Sequence, residues 1–158
     1  MGGLIQHVLD EYKDNINDGD IFIANDPHVA GGTHLPDINM AMPVFNKGKL
    51  LGFVANIVHH ADVGGAAVGS MSGGLNEIYK EGLRIPLVRL YNKGKIVKDI
   101  QRLLLLNMRL PDERKGDLNA QISACRLGVK RIQELLSKHG ASYLNTAFEE
   151  ILKRSKLR

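Results

Sequence analysis

Residues 37–59 read DINMAMPVFNKGKLLGFVANIVH, and this stretch decides the fold. Two apolar runs, 38–45 and 50–58, flank Asn46-Lys47-Gly48-Lys49. That order specifies two antiparallel strands joined by a tight turn. With the turn centred on Lys47-Gly48, facing residues have numbers that add to about 95. Asp37 then faces Val58 and His59 faces Pro36, and a bulged turn moves this register by about one residue. In either register the turn brings His34 and His59, 25 positions apart in the chain, close together.

Upstream of the hairpin, residues 4–14 carry Leu4, Ile5, Val8, Leu9 and Tyr12 at the spacing of a short amphipathic helix. A turn at 17–20 leads into a short buried strand, Ile21 to Ala24, that ends at Asn25-Asp26-Pro27. Residues 28–33, with Gly31-Gly32, are expected to form a loop whose backbone can approach a ligand. Downstream, residues 63–74 are rich in Gly and Ala and form a second loop, one able to move or wrap a ligand. Asn-Lys-Gly-Lys recurs at 92–95, between Ile85–Tyr91 and Ile96–Val97, and predicts a second hairpin.

Beyond residue 98 the period becomes helical. The pattern predicts helices over Asp99–Met108, Pro111–His139 and Ser142–Arg154. The second ends at Gly140 and carries Ile122, Cys125, Val129, Ile132 and Leu136 on one face. Strands followed by helices give an α+β fold: a β-hairpin-rich sheet region over 1–98, and a helical region over 99–158 packed on it within one domain.

Composition narrows the function. With 44% hydrophobic and 24% charged residues the chain is an ordinary globular one. One cysteine, Cys125, excludes an internal disulfide and fits a reducing, cytoplasmic setting. No apolar run, Leu103 to Leu106 included, approaches the length needed to span a membrane, and the N-terminus lacks the pattern of a signal peptide. Residues 1–70 hold three Lys/Arg against eight Asp/Glu, a balance of −5 suited to holding a cation. Residues 71–158 hold eighteen against nine, a balance of +9. Those charges interleave with aliphatics as on a solvated helix face. They lack the pattern of an RNA-binding module, so neither nucleic acid nor membrane is an expected partner.

The residues that carry chemistry are His34, Asp37 and His59. His34 and Asp37 stand just before the first hairpin strand, and His59 ends the second. Imidazole nitrogen and carboxylate oxygen suit zinc, manganese or iron, and three protein ligands with one open position is the usual catalytic arrangement. Each histidine alone is more often structural than ligating, and spacing leaves that structural reading open beside the metal one. His60 and Asp62 are candidate catalytic residues on the substrate side or in the outer shell of the site, with His60 on the opposite face of the strand from His59. His28 belongs to a loop near the site, and His7 and His139 are structural or exposed. Glu77 and Glu81 can serve as acid or base, and read equally well as surface charges or partners of Arg84. Cys125, on an apolar helix face, reads as core. Neither a P-loop nor a GxSxG motif is present.

Several motifs, in order, resemble the hydantoinase B family: Asn25-Asp26-Pro27 with Gly31-Gly32-Thr33-His34-Leu35-Pro36-Asp37; Phe53-Val54-Ala55-Asn56 with His59-His60-Ala61-Asp62-Val63-Gly64-Gly65; and Glu77-Ile78-Tyr79 with Glu81-Gly82-Leu83-Arg84-Ile85-Pro86. Arg114-Lys115-Gly116-Asp117-Leu118, Ala120-Gln121 and Arg126-Leu127-Gly128 look like the same family's helical segment. The family includes N-methylhydantoinase, 5-oxoprolinase, related lactamases and the acetone carboxylase alpha subunit. The resemblance implies a B-type subunit that holds a divalent metal through His34, Asp37 and His59. It also implies an A-type partner that uses ATP to phosphorylate a small cyclic amide. Members are several times longer, so the remainder of the B subunit is a further expected partner, and an upstream acidic ligand of the family has no counterpart here. The expected function is thus that of a metal-binding piece of an ATP-dependent cyclic-amide hydrolase, inactive in isolation and oligomeric. The alternatives are a non-catalytic assembly module and a subunit of an acetone carboxylase-like enzyme.

Overall fold

The computed structural model describes residues 2–156, apart from the side chain of Val29. The hairpin forms β2 (Asp37–Asn46) and β3 (Lys49–His59). It is the flank of a five-stranded sheet of order β3-β2-β1-β4-β5, with β1 at Ile21–Ala24, β4 at Val88–Asn92 and β5 at Lys95–Ile96. Every pairing is antiparallel. β1 is buried along its whole length, which follows from its central place: both faces of the sheet are covered.

Helices supply the two covers. On one face Ile21, Ile23, Ile38, Met40, Met42 and Val44 pack with Leu104 of α4 (Lys98–Leu106) and with Leu118, Ile122, Cys125 and Val129 of α5 (Pro111–His139). On the other, Phe22, Ala24, Ala41 and Leu87 meet Leu4 and Val8 of α1 (Gly2–Tyr12). The chain is therefore α+β, with strands in its first half and helices at its end. α5 lies close enough to β3 that a Cβ at Gly128 would stand 2.6 Å from a methyl of Val54. The 16-residue α6 (Ala141–Lys156) closes the described chain.

The register of the hairpin is set at its turn. Asn46 faces Lys49 and Phe45 faces Leu50, but Val44 faces Gly52, so Leu51 is an extra residue in β3. This bulge advances every later pair by one, and Asp37 directly faces His59 rather than Val58. One further segment differs from an expected loop. Pro27–Ala30 is one helical turn, α2, because Asp26 caps it by accepting from the His28 N–H (3.0 Å), Pro27 starts it and Gly31, at φ 72°, ends it. Ile78–Glu81 forms another single turn, α3.

Candidate metal centre

His34, Leu35, Pro36 and Asp37 make a tight turn in which the Asp37 N–H donates to the His34 carbonyl (3.1 Å). Leu35 is fully buried and anchors the turn to the core. The buried Asn25 fixes it from behind: its Nδ2 donates to the carbonyls of Leu35 (2.7 Å) and Leu83 (2.8 Å), while its Oδ1 accepts from the Ile85 N–H (2.6 Å). Asn25-Asp26-Pro27 thus serves as a staple between the site turn and the segment 83–85. Asp26 completes it by pairing with Arg84 (2.8 Å). Burial works to raise the Asp26 carboxyl, but hydrogen bonds from Arg84 and the His28 amide outweigh it and hold it below the usual carboxylate range.

The turn and the bulged hairpin bring His34, Asp37 and His59 together. His34 Nε2 and His59 Nδ1 each lie 3.2 Å from the same oxygen, Asp37 Oδ1. The two rings are 5.0 Å apart, centroid to centroid, at 31°. Thr33 Oγ1 lies 3.4 Å from Asp37 Oδ2 and orients the carboxylate. One donor atom from each of the three residues fits within 4.8 Å of the others. Donors bound at about 2.1 Å around one tetrahedral ion stand about 3.4 Å apart, so the 3.2 Å spacings fit a single divalent cation. The site is open: His59 is about half exposed, His34 a third and Asp37 a fifth.

His60 and Asp62 stand outside this cluster. His60 is buried on the α5 face of the sheet, and its Nε2 donates to Gln121 Oε1 (3.1 Å). Gln121 Nε2 in turn donates to the Ile38 carbonyl (2.8 Å) and Asn56 Oδ1 (2.9 Å). This network ties the ends of β2 and β3 to α5. Burial lowers the His60 pKa, partly offset by the bond to Gln121. Asn56 also donates to Cys125 Sγ (3.2 Å), whose pKa is pushed up to about 11 by burial.

Asp62 organises the glycine-rich loop. Its oxygens accept from the N–H groups of Gly64 (2.7 Å) and Gly69 (2.9 Å) and pair with Arg109 (3.1 Å). Arg109 also donates to the carbonyls of Gly65 (2.7 Å) and Ala67 (3.1 Å). Burial acts to raise the Asp62 carboxyl, and these donors outweigh it and lower it. The loop is therefore pinned over residues 62–70, not free along its whole length. Gly65, at φ 86°, lies against the Lys80 carbonyl where no side chain fits. Past this point the chain forms one wall of a cavity of about 510 Å³ that His34 also lines, with Ser70, Ser72 and Glu81 among its other walls.

Sequence reasoning brought out the three clustered residues because hairpin geometry joins them. It missed Asn25, Gln121 and Arg109 as supports. Asn25 carries a local signal, a polar residue at the end of a buried strand. Arg109 carries none, since its partner Asp62 lies 47 residues away.

An α+β scaffold with two imidazoles on one carboxylate oxygen, one of them lining a cavity, defines a candidate divalent-cation centre. The chain belongs to the Hydantoinase B/oxoprolinase family, whose model matches residues 1–158. It is 39% identical over 140 residues to caprolactamase subunit beta of Pseudomonas jessenii, covering 89% of this chain and 24% of that protein. It is 38% identical over 152 residues to 5-oxoprolinase 1 of Arabidopsis thaliana, covering 89% of this chain and 12% of that protein. The crystal structure of ATP-dependent caprolactamase from Pseudomonas jessenii superposes with a TM-score of 0.86 at 38% identity, covering 95% of this chain and 26% of that one. The chain thus spans about a quarter or less of the length of these relatives.

Proposed function

We propose that this chain is the metal-bearing part of the B-type subunit of an ATP-dependent cyclic-amide hydrolase, acting on a hydantoin- or oxoproline-like ring. The observation that carries the proposal is the sharing of Asp37 Oδ1 by His34 and His59 beside an open cavity. The similarity to a caprolactamase beta subunit and a 5-oxoprolinase supports the substrate class. His34, Asp37 and His59 hold the cation, which is zinc, manganese or iron. Such an ion would polarise a carbonyl and activate a bound water for attack.

The chain's own residues do the rest. Thr33 and the turn through Leu35 keep the Asp37 carboxylate aimed at both imidazoles. His60, through Gln121, and Asp62, through Arg109, are positioning residues that hold the end of β3 and the cavity wall. An A-type subunit supplies ATP-dependent phosphorylation of the substrate. The rest of the B-type subunit completes the pocket, so the isolated chain is inactive. Residues 1–98 carry the site and 99–158 buttress it as part of one domain in an oligomeric, cytoplasmic enzyme.

The test is ATP-dependent ring opening by the assembled enzyme. Parent activity that falls at least 100-fold in His59→Ala supports the proposal, and equal activity in the two rejects it. Exposed Val68, Tyr79, Leu106 and Leu110 favour a second reading, an assembly module without chemistry. That reading requires an assembled enzyme whose rate is indifferent to all three cluster residues.

A further inference from the structure

We propose that Glu81 is the proton-transfer residue of this centre. The inference rests on the cyclic-amide reading above and adds a group outside the His34–Asp37–His59 cluster. Glu81 and His34 line the same cavity of about 510 Å³, together with Ser70 and Ser72. Glu81 is not among the clustered donor atoms, so it serves the cavity and not the cation.

Its backbone is fixed there. Glu81 ends α3, and that turn is stitched to the pinned loop on both sides. The Ala66 N–H donates to the Lys80 carbonyl (2.8 Å), and the Leu83 N–H to the Val63 carbonyl (2.7 Å). Gly82, at φ 141°, passes so close to Val63 that a Cβ would stand 2.8 Å from its carbonyl oxygen. No other residue type fits that step, so the backbone that carries Glu81 is fixed at the cavity wall. The cations nearby in sequence are committed elsewhere: Lys80 to Glu77 (3.3 Å) and Asn76 (2.7 Å), and Arg84 to Asp26 (2.8 Å). Among the described residues Glu81 forms no ion pair, which leaves its oxygens available for proton exchange.

The chemistry of a cyclic amide needs such a group. Opening the ring that the partner has phosphorylated on its carbonyl oxygen adds water to that carbon, forming a C–O bond, and breaks the C–N bond. The water loses a proton, and the nitrogen leaves with the bonding pair and gains one. Glu81 takes the proton from water as the C–O bond forms and returns it to the ring nitrogen as the C–N bond breaks. The carboxylate is regenerated; a second water then displaces phosphate from the acyl phosphate left on the carbonyl carbon, and the net change is amide, ATP and two waters to carboxyl, amine, ADP and phosphate.

The test uses the full-length subunit assembled with its partner, with ATP and a hydantoin or neutral lactam. General acid–base catalysis contributes about 10²–10⁴ in rate. E81Q is therefore expected to lower kcat about 100-fold or more, while KM and metal stoichiometry stay at parental values. E81D recovers part of the rate, which a merely structural role would not predict. A kcat for E81Q within threefold of the parent overturns the assignment, as does a loss of metal equal to that in His59→Ala. A parent assembly with no activity on cyclic amides overturns the functional reading itself, and Glu81's role with it.

Discussion

Replacing Asp62 by Asn leaves size and shape almost unchanged, so its effect isolates the carboxylate's hydrogen bonds. Asp62 is 5% exposed, and its two oxygens accept from the N–H groups of Gly64 and Gly69 at 2.7 and 2.9 Å. An Asn side chain offers one acceptor and one NH₂, so one of the two backbone donors is left facing another donor. A buried donor without a partner costs about 1–3 kcal/mol. The remaining hydrogen bond, no longer to a charged acceptor, loses about 1 kcal/mol more. The Arg109 pair adds little, because its guanidinium is 39% exposed and regains solvent. The expected cost is about 2–4 kcal/mol. A protein of this size shifts by about 2–4 °C per kcal/mol, so thermal unfolding followed by circular dichroism should fall by about 4–16 °C. A midpoint within 2 °C of the parent would show that Asp62 does not hold the loop, and the account of the cavity wall would fail.

The other expectations concern packing, pH and thiol chemistry. Gly128→Ala gains about 1 kcal/mol of helix propensity but places a methyl 2.6 Å from Val54. Overpacking of about 1–3 kcal/mol outweighs the gain, and Val54→Ala in the same chain should restore the urea midpoint. Asp26 and Asp62 both have lowered pKa values. Their stabilisation is complete above about pH 4, the ordinary carboxylate value, and is lost as pH falls through the folded-state values. Urea unfolding should therefore show a decline below pH 4 that is shallower in Asp62→Asn. Cys125, buried and pushed up to about 11, should react with a thiol reagent only on unfolding; fast labelling of the native protein would contradict its place in the core.

The hairpin and long helix were legible because each rests on local periodicity. Lys47-Gly48 announces the turn, and Pro111 and Gly140 bracket α5. The convergence of His34, Asp37 and His59 followed from that turn, but their exact pairing did not. It depends on the bulge at Leu51, where an apolar residue in an apolar run carries no mark of being extra. α2 was misjudged as loop although Asp26, Pro27 and Gly31 are its cap, start and stop; the turn is too short to show a helical period. The supports of the site were the least visible. Gln121 meets His60 across 61 positions, and Arg84 turns to Asp26 across 58 rather than to Glu77 or Glu81 nearby. Such pairs arise only when α5 and the segment 83–85 are packed against the sheet, and no local pattern encodes them.

The central claim is that one carboxylate oxygen and two imidazoles share a cation. Metal analysis of purified protein after loading with zinc or manganese and removal of free ion tests it directly. The account predicts one divalent ion per chain in the parent and in Cys125→Ser, and loss of that ion in His34→Ala, Asp37→Ala and His59→Ala alike. Parental metal content in those three variants would contradict it.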